Sequence, residues 1–295
     1  MDEHAYEDER SLLPHDIDGR VLGLRRDMED PIRLRQFQSK KPMLGEIDIA
    51  KLPTSLGTAA WLQIEDQAQV GSCQGHAQTS CIEIAAYHVT GKIRQYNRMF
   101  AYLASQKEDG INGDNGSTMT GGAKSATVNG LPLESSWPYS GRYPSGGWRS
   151  IPAKLWTEAK GTLLVGYRML ESYAEVLQWL ANGVGGVAIG IDWNDSCTPD
   201  SQGRIQKYSR GERFRGGHAL ALCDWNKNFL DPQGRPYIDM FNSWGKSWGF
   251  QGRAFVLPAI VDYWCKNCEV VGYGLVQGDE IKPKVFDWNK QSFFS

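Results

Sequence analysis

Six cysteines and five histidines are the raw material for nucleophilic chemistry in this chain of 295 residues. The thiols stand at 73, 81, 197, 223, 265 and 268, too sparse and irregular for a disulfide framework, so at least one is a candidate working thiol. Cys73 has the best setting. It follows Ser72, a helix N-cap candidate, and opens the segment 73–89, where Ala77, Cys81, Ile84, Ala85 and His88 recur at helical spacing before Gly91 ends the pattern. A sulfur in the first turn of a helix lies where unpaired N–H groups and the helix dipole favour negative charge, which predicts a lowered pKa and a thiolate. A small buried residue at a helix start fits the same text. Cys265 and Cys268 form a lone CxxC, but a zinc site needs two more ligands at recognisable spacing, and none is evident. Core packing or a dispensable disulfide is the expectation there.

A reactive thiol needs a base, and elimination narrows the choice. His4 and His15 fall in a charged N-terminal segment, and His88 lies at the far end of the Cys73 helix, on the order of 22 Å along its axis. His76 is close in space, yet side chains on one helix lean the same way, which disfavours a thiol-to-imidazole bond. His218 remains, in RGGHALALCDW, where two glycines permit a close approach before an apolar strand begins. A satisfied core histidine at a strand entrance fits this text as well. Asn242 ends the next long strand; its side-chain oxygen can accept from an imidazole and fix the tautomer, while Trp244 keeps water from that bond.

Other chemistries find little support. GVGGVAIG (183–190) lacks the strand-to-helix context and spacing of a phosphate loop and reads as a strand entry. Neither a GxSxG elbow nor an HExxH helix is present.

The elements that must position these residues divide along the chain. Helical patterns run over 73–89, 97–107, 119–129 and 173–182, while 162–168, 187–192, 218–224, 237–241 and 253–257 read as strands. A helical half followed by a stranded half predicts an α+β fold. Composition agrees with an ordinary soluble globular protein: 41% hydrophobic, 22% charged, formal charge −2. That balance gives no reason to expect nucleic acid as a partner, and no apolar run approaches the ~20 residues of a membrane span. The first ten residues hold five acids, unlike a signal peptide, so a cytoplasmic or particle-associated protein is expected. Residues 1–50 carry 12 Asp and Glu and 8 Lys and Arg, and read as an extension outside a catalytic domain spanning 51–295. Its charge fits a solvated arm; its apolar residues Val21, Leu22, Leu24, Ile32, Leu34 and Phe37 argue for docking, either over a cleft or on a protein partner, and between those two its shortness and its lack of a long helical pattern favour the anchor.

In order, DQAQVGSCQGHA (66–77), GGHALAL (216–222) and NSWGKSWGF (242–250) resemble the cysteine, histidine and asparagine motifs of papain-like cysteine peptidases, with the first closest in style to bacterial and phage forms. The resemblance covers about residues 52–257. It implies a two-lobed papain-like fold, with a helical lobe mainly at 65–145, an antiparallel β lobe mainly at 160–280, and the site between them. It implies Cys73 as nucleophile, His218 as general base and acid, Asn242 as orienter, and Gln67 as an oxyanion donor beside the Cys73 backbone N–H. DNGSTMTGG (114–122) matches more weakly the loop whose backbone pairs with substrate, which would put Gly116 and Ser117 with Gly217 and Trp244 against the peptide; an ordinary glycine-rich turn is the other reading. Gln74 stands where many members have tryptophan, Val70 where many have a disulfide cysteine, and a hairpin around 226–236 lengthens the interval from histidine to asparagine. The expected activity is endopeptidase cleavage of peptide or protein substrates, without metal or organic cofactor. A papain-fold assembly component of little activity, and amide hydrolysis or acyl transfer by the same residues, are the alternatives.

Overall fold

Two hydrophobic clusters lie on opposite faces of one twisted sheet, and the period of two along the central strands feeds both. In the long strand β6 (Phe214–Leu230), Ala219, Ala221 and Cys223 join one cluster while Leu220, Leu222 and Trp225 join the other. This burial on both faces explains why the strand reads as a continuous apolar run. The protein is seen in a computed structural model that describes residues 15–17, 20–26, 30–36, 38–40, 44–161, 165–277 and 280–281. Phe37 and the start of the strand expected from 162 lie outside these residues.

Two short strands, β1 (His15–Ile17) and β2 (Arg20–Leu22), pair with each other, and α1 (Asp30–Gln36) follows. The helical face is built by α2 (Cys73–Thr90), α3 (Arg98–Asp109), α4 (Met119–Asn129) and α5 (Ala153–Lys160). The sheet contains β3 (Val165–Met169), β4 (Val187–Asn194), β5 (Arg204–Ile205), β6, β7 (Pro236–Phe241), β8 (Arg253–Val256), β9 (Glu269–Gln277) and β10 (Glu280–Ile281). Its order is β10-β9-β4-β6-β7-β8-β5, with β3 also on β9; every pair is antiparallel except β5 with β8. The helices α6 (Tyr173–Ala181) and α7 (Pro258–Asn267) cover the other face. This is the expected α+β class.

The four expected helices form, with α2 ending on Gly91 in the left-handed conformation as a C-cap. Ser72, however, does not cap α2 with its side chain; its hydroxyl bonds the Tyr139 hydroxyl at 2.8 Å. The sequence reading missed α5, α7 and β9. The helix α5 has only 8 residues, and α7 opens on Pro258, although its buried Ile260, Val261, Trp264 and Cys265 keep a helical period.

The helical face holds a buried charge cluster. Arg98, at the start of α3, pairs with Glu65, with Glu83 of α2 at 3.3 Å and with Glu134 at 3.4 Å. Loss of water pushes Glu65 up to about 7 and Glu83 up to about 8 against the pull of Arg98. Replacing Arg98 by Met should cost about 3 kcal/mol at pH 8, because buried carboxylates are left without their cation. The loss should shrink at pH 5.5, where those carboxylates take up protons instead. Urea unfolding at the two pH values checks this; an equal loss at both would mean that packing, and not charge, is what Arg98 supplies.

Candidate active site

Cys73 opens α2 and is fully buried, and His218 is buried on β6, the strand against which α2 packs, so residues 145 apart in sequence (218 − 73) lie on two elements in contact. The Cys73 sulfur takes backbone hydrogen bonds from Ala219, next to His218, and from Gln74 and Gly23.

Asn242, just beyond β7, sets the imidazole. Its Oδ1 accepts the Ser243 backbone N–H at 2.8 Å, which fixes the side-chain amide, and the same oxygen lies 2.8 Å from His218 Nε2. Nε2 must therefore donate, and in the neutral ring Nδ1 is left as a lone pair. Nδ1 has no hydrogen-bond partner among the described residues. Trp244 stacks on the ring at 4.7 Å and 25°, and Trp193 meets it edge-on at 5.2 Å, so the His218 to Asn242 bond is walled from water.

Gln67 lies in the loop before α2, tied to the asparagine segment by its backbone N–H to the Ser243 carbonyl, 2.8 Å. Its Oε1 accepts from the Ser243 hydroxyl at 2.6 Å, which leaves Nε2 to donate, one bond going to the Val70 carbonyl of its own loop at 2.8 Å. Ser243 is thus a positioning residue that the sequence reading overlooked, although it sits inside the NSWG string. Trp193 was missed because only the register, with Trp193 opposite Gly216, brings it beside His218. His76 is buried, its ring edge-on to Tyr139 at 4.8 Å, with both nitrogens lacking partners among the described residues. No hydrogen bond links it to Cys73. Gln74 donates to Gln78 at 3.2 Å and accepts from the Ser117 hydroxyl at 3.2 Å.

Residues 20–26 of the N-terminal segment lie against Gln67, Ser117, Gly217 and Trp244, which were expected to face substrate. Gln67 Nε2 donates to the Val21 carbonyl at 2.8 Å. The Gly23 carbonyl accepts from Ser117 N–H at 3.0 Å, the Ser117 carbonyl from Arg25 N–H at 2.9 Å, and the Gly217 carbonyl from Leu24 N–H at 3.1 Å. Gly116, Ser117, Gly217 and Trp244 all line this strip; the Trp244 carbonyl accepts from Arg20 at 3.1 Å, and Arg20 also pairs with Asp66. The approach is so close that a Cβ on Gly23 would collide with the Gly71 carbonyl, and one on Gly116, at φ +74°, with the Gly23 carbonyl.

This cover changes the electrostatics expected of the site. The thiol is not lowered: stripping away water pushes it up to about 11, and the hydrogen bonds from Ala219, Gly23 and Gln74 oppose that without cancelling it. The same burial brings His218 down to about 4, although Asn242 favours its charged form. The expectation of a lowered thiol fails here because it weighed the helix terminus and omitted the desolvation. Beneath the cover the pair is a thiol and a neutral imidazole.

The model of the papain family cysteine proteases matches residues 53–276, and this chain belongs to that family. It is similar to xylellain, a cysteine protease from Xylella fastidiosa, with 20% identity, a TM-score of 0.67, and coverage of 89% of this chain and 98% of that one. A digestive procathepsin L 3 from the larval midgut of Tenebrio molitor shares 20% identity and a TM-score of 0.57, covering 83% of this chain and 74% of that one. These structures establish the two-lobed papain-like fold. Among curated proteins, cathepsin R of Mus musculus is 24% identical over 190 residues, 64% of this chain and 54% of that protein. The chain thus spans about half the length of the curated relatives it matches.

Two outcomes follow from the cover. Gly23→Ala in the full chain should push the strip out of the cleft, and iodoacetamide should then label Cys73 at least tenfold faster at pH 7 than in the parent. Peptide mapping reads this directly, and equal rates would mean that the strip does not shield the thiol. For His218, the lowered pKa makes a neutral ring part of the folded state. Its contribution is fully present above pH 6.5 and is lost as pH falls toward 4, because the unfolded chain binds a proton that the folded chain refuses. The fall from 6.5 to about 4 corresponds to about 3 kcal/mol. Urea midpoints should therefore drop more between pH 7 and pH 4.5 for the parent than for His218→Gln.

Proposed function

We propose that the chain is a cysteine endopeptidase whose own residues 20–26 hold it idle, with Cys73 as nucleophile, His218 as base and acid, Asn242 as orienter and Gln67 as oxyanion donor. The observation that carries this is the Asn242 oxygen, fixed by Ser243 N–H, which leaves His218 Nδ1 a free lone pair on the strand that packs against the Cys73 helix. The Val21 carbonyl on Gln67 Nε2 supports the oxyanion role, since a peptide carbonyl already takes that donor. The family model spans all four of these residues, which supports the reading.

Once the strip leaves, water and an open helix N-terminus favour the thiolate, and the Cys73 proton passes to His218 Nδ1. The sulfur attacks the substrate carbonyl, forming the C–S bond, while Gln67 Nε2 and the Cys73 backbone N–H take the charge on oxygen. His218 then protonates the departing amine as the C–N bond breaks. Water, giving its proton to His218, hydrolyses the thioester and regenerates Cys73. Every proton is accounted for by the thiol, the imidazole and water.

The full chain carrying Gly23→Ala should cleave unstructured protein such as casein. Adding Cys73→Ala should abolish cleavage, and adding Gln67→Ala should lower kcat/KM by about 10² to 10³ with the fold intact by circular dichroism. Undiminished cleavage by the Cys73→Ala chain would overturn the assignment.

A further inference from the structure

A narrow crevice between α2 and the sheet is lined by His76 and Ser80 of α2, by Ala219 and Ala221 of β6, and by Phe241 and Asn242 at the end of β7. The exposed Gln63 also lines it and gives solvent a way in. Inside there is room of about 10 Å³ for the centre of a water molecule, which is the measure of one water.

The polar atoms of this crevice are left unsatisfied by the chain itself. His76 is 1% exposed, and neither ring nitrogen has a hydrogen-bond partner among the described residues; the same holds for Asn242 Nδ2. Burial, helped by the charge of Arg98, holds the His76 pKa well below the usual histidine value, so the ring is neutral and one nitrogen offers a lone pair. Asn242 Nδ2 is a donor whose direction is set, because Oδ1 of the same amide accepts from Ser243 N–H at 2.8 Å and lies 2.8 Å from His218 Nε2. A donor and an acceptor thus line one crevice without bonding each other, and buried groups in that state are rare unless water reaches them. A water between them accepts from Nδ2 and donates to the ring nitrogen, with the Ser80 hydroxyl and the Glu65 carboxyl on the same wall for its remaining bonds.

We propose that His76 is a positioning residue of the catalytic set: one buried water joins its ring to Asn242 Nδ2 and so pins the amide whose oxygen orients His218. This rests on the peptidase reading above and deepens it. Ser243 N–H holds the oxygen of the amide, and the water holds its nitrogen. A turn of the amide would break both bonds and set its NH2 group against the His218 Nε2–H, donor facing donor, unless His218 changed tautomer. His76 therefore acts on Asn242 and not on Cys73, although it follows the cysteine by three residues.

The water is sought by NMR in the unaltered full chain, with heavy nitrogen in the asparagine side chains. The Asn242 Nδ2 protons should show a rotating-frame cross-peak to water of the sign that marks contact rather than proton exchange, and His76→Phe, a ring of similar size without a lone pair, should lose it. In the same variant the His218 ring-nitrogen shifts, which report the tautomer, should move from the Nε2–H form towards a mixture. With Gly23→Ala added to open the cleft, His76→Phe should lower kcat at least about fivefold with KM within about twofold, and His76→Gln, which restores an acceptor, should recover at least about half of kcat. No water contact at Nδ2 in the parent, a His218 tautomer or a kcat unmoved by His76→Phe, or an equal loss in His76→Gln overturns the proposal and leaves the peptidase reading standing. The water contact and the tautomer shift in a chain that cleaves nothing leave the bridge standing and overturn the peptidase reading. If His76→Phe does not fold, His76→Leu takes its place, and the water contact is read in the parent regardless.

Discussion

The site depends on a helix that runs through the protein interior while carrying polar side chains on most of its surface. Gln74, His76, Gln78, Thr79, Ser80 and Glu83 of α2 are all buried. Helical hydrogen bonds satisfy the backbone, but each of these side chains raises a separate demand in a place without water. Gln78 meets it at the Gly122 carbonyl, 2.5 Å, Thr79 at the Gly75 carbonyl, 2.9 Å, and Glu83 at Tyr96 N–H, 2.9 Å, and at Arg98. Such a network fixes rotation and axial position together, which a greasy helix face would not. A slip of one turn, about 5.4 Å, would carry the sulfur away from Ala219 and leave the network broken.

What the sequence disclosed follows from how local each cause is. Cys73 and Asn242 were legible as candidates because each sits where one element begins or ends, and His218, inside β6, because elimination among five histidines left it; all three lie in strings whose residue types have few other uses. Helix α2 itself was legible from spacing and Gly91. The cover was not. Its charge density argues for solvation, and nothing within it reveals that Arg20 pairs with Asp66 or Arg26 with Glu269, since those acids are brought near only by the fold. Ser72 and the Cys73 pKa were misjudged in a related way, because a tertiary partner, Tyr139 or the strip, outweighed a sound local argument.

The strip is held unevenly. At one end Arg20 pairs with an Asp66 that is half exposed, a contact worth at most about 1 kcal/mol. At the other, Arg26 is clamped on a carboxylate from which water is excluded. Between them, backbone bonds reach both walls, to Ser117 on the helical side and Gly217 on the sheet side. Loosening therefore begins at the Arg20 end, nearest Gln67, so the Gln67 amide is uncovered before Arg26 leaves its carboxylate.

All six cysteines are free and buried, and peroxide attacks thiolates rather than thiols. A sulfur held near pKa 11 under seven residues of its own chain is chemically quiet, however oxidising its surroundings. In the proposed reading the covering segment then serves as a preservative, slowing oxidation of the thiol while the protein is idle. The thiol becomes vulnerable to irreversible oxidation from the moment it is uncovered, which gives the open form a working lifetime set by its environment.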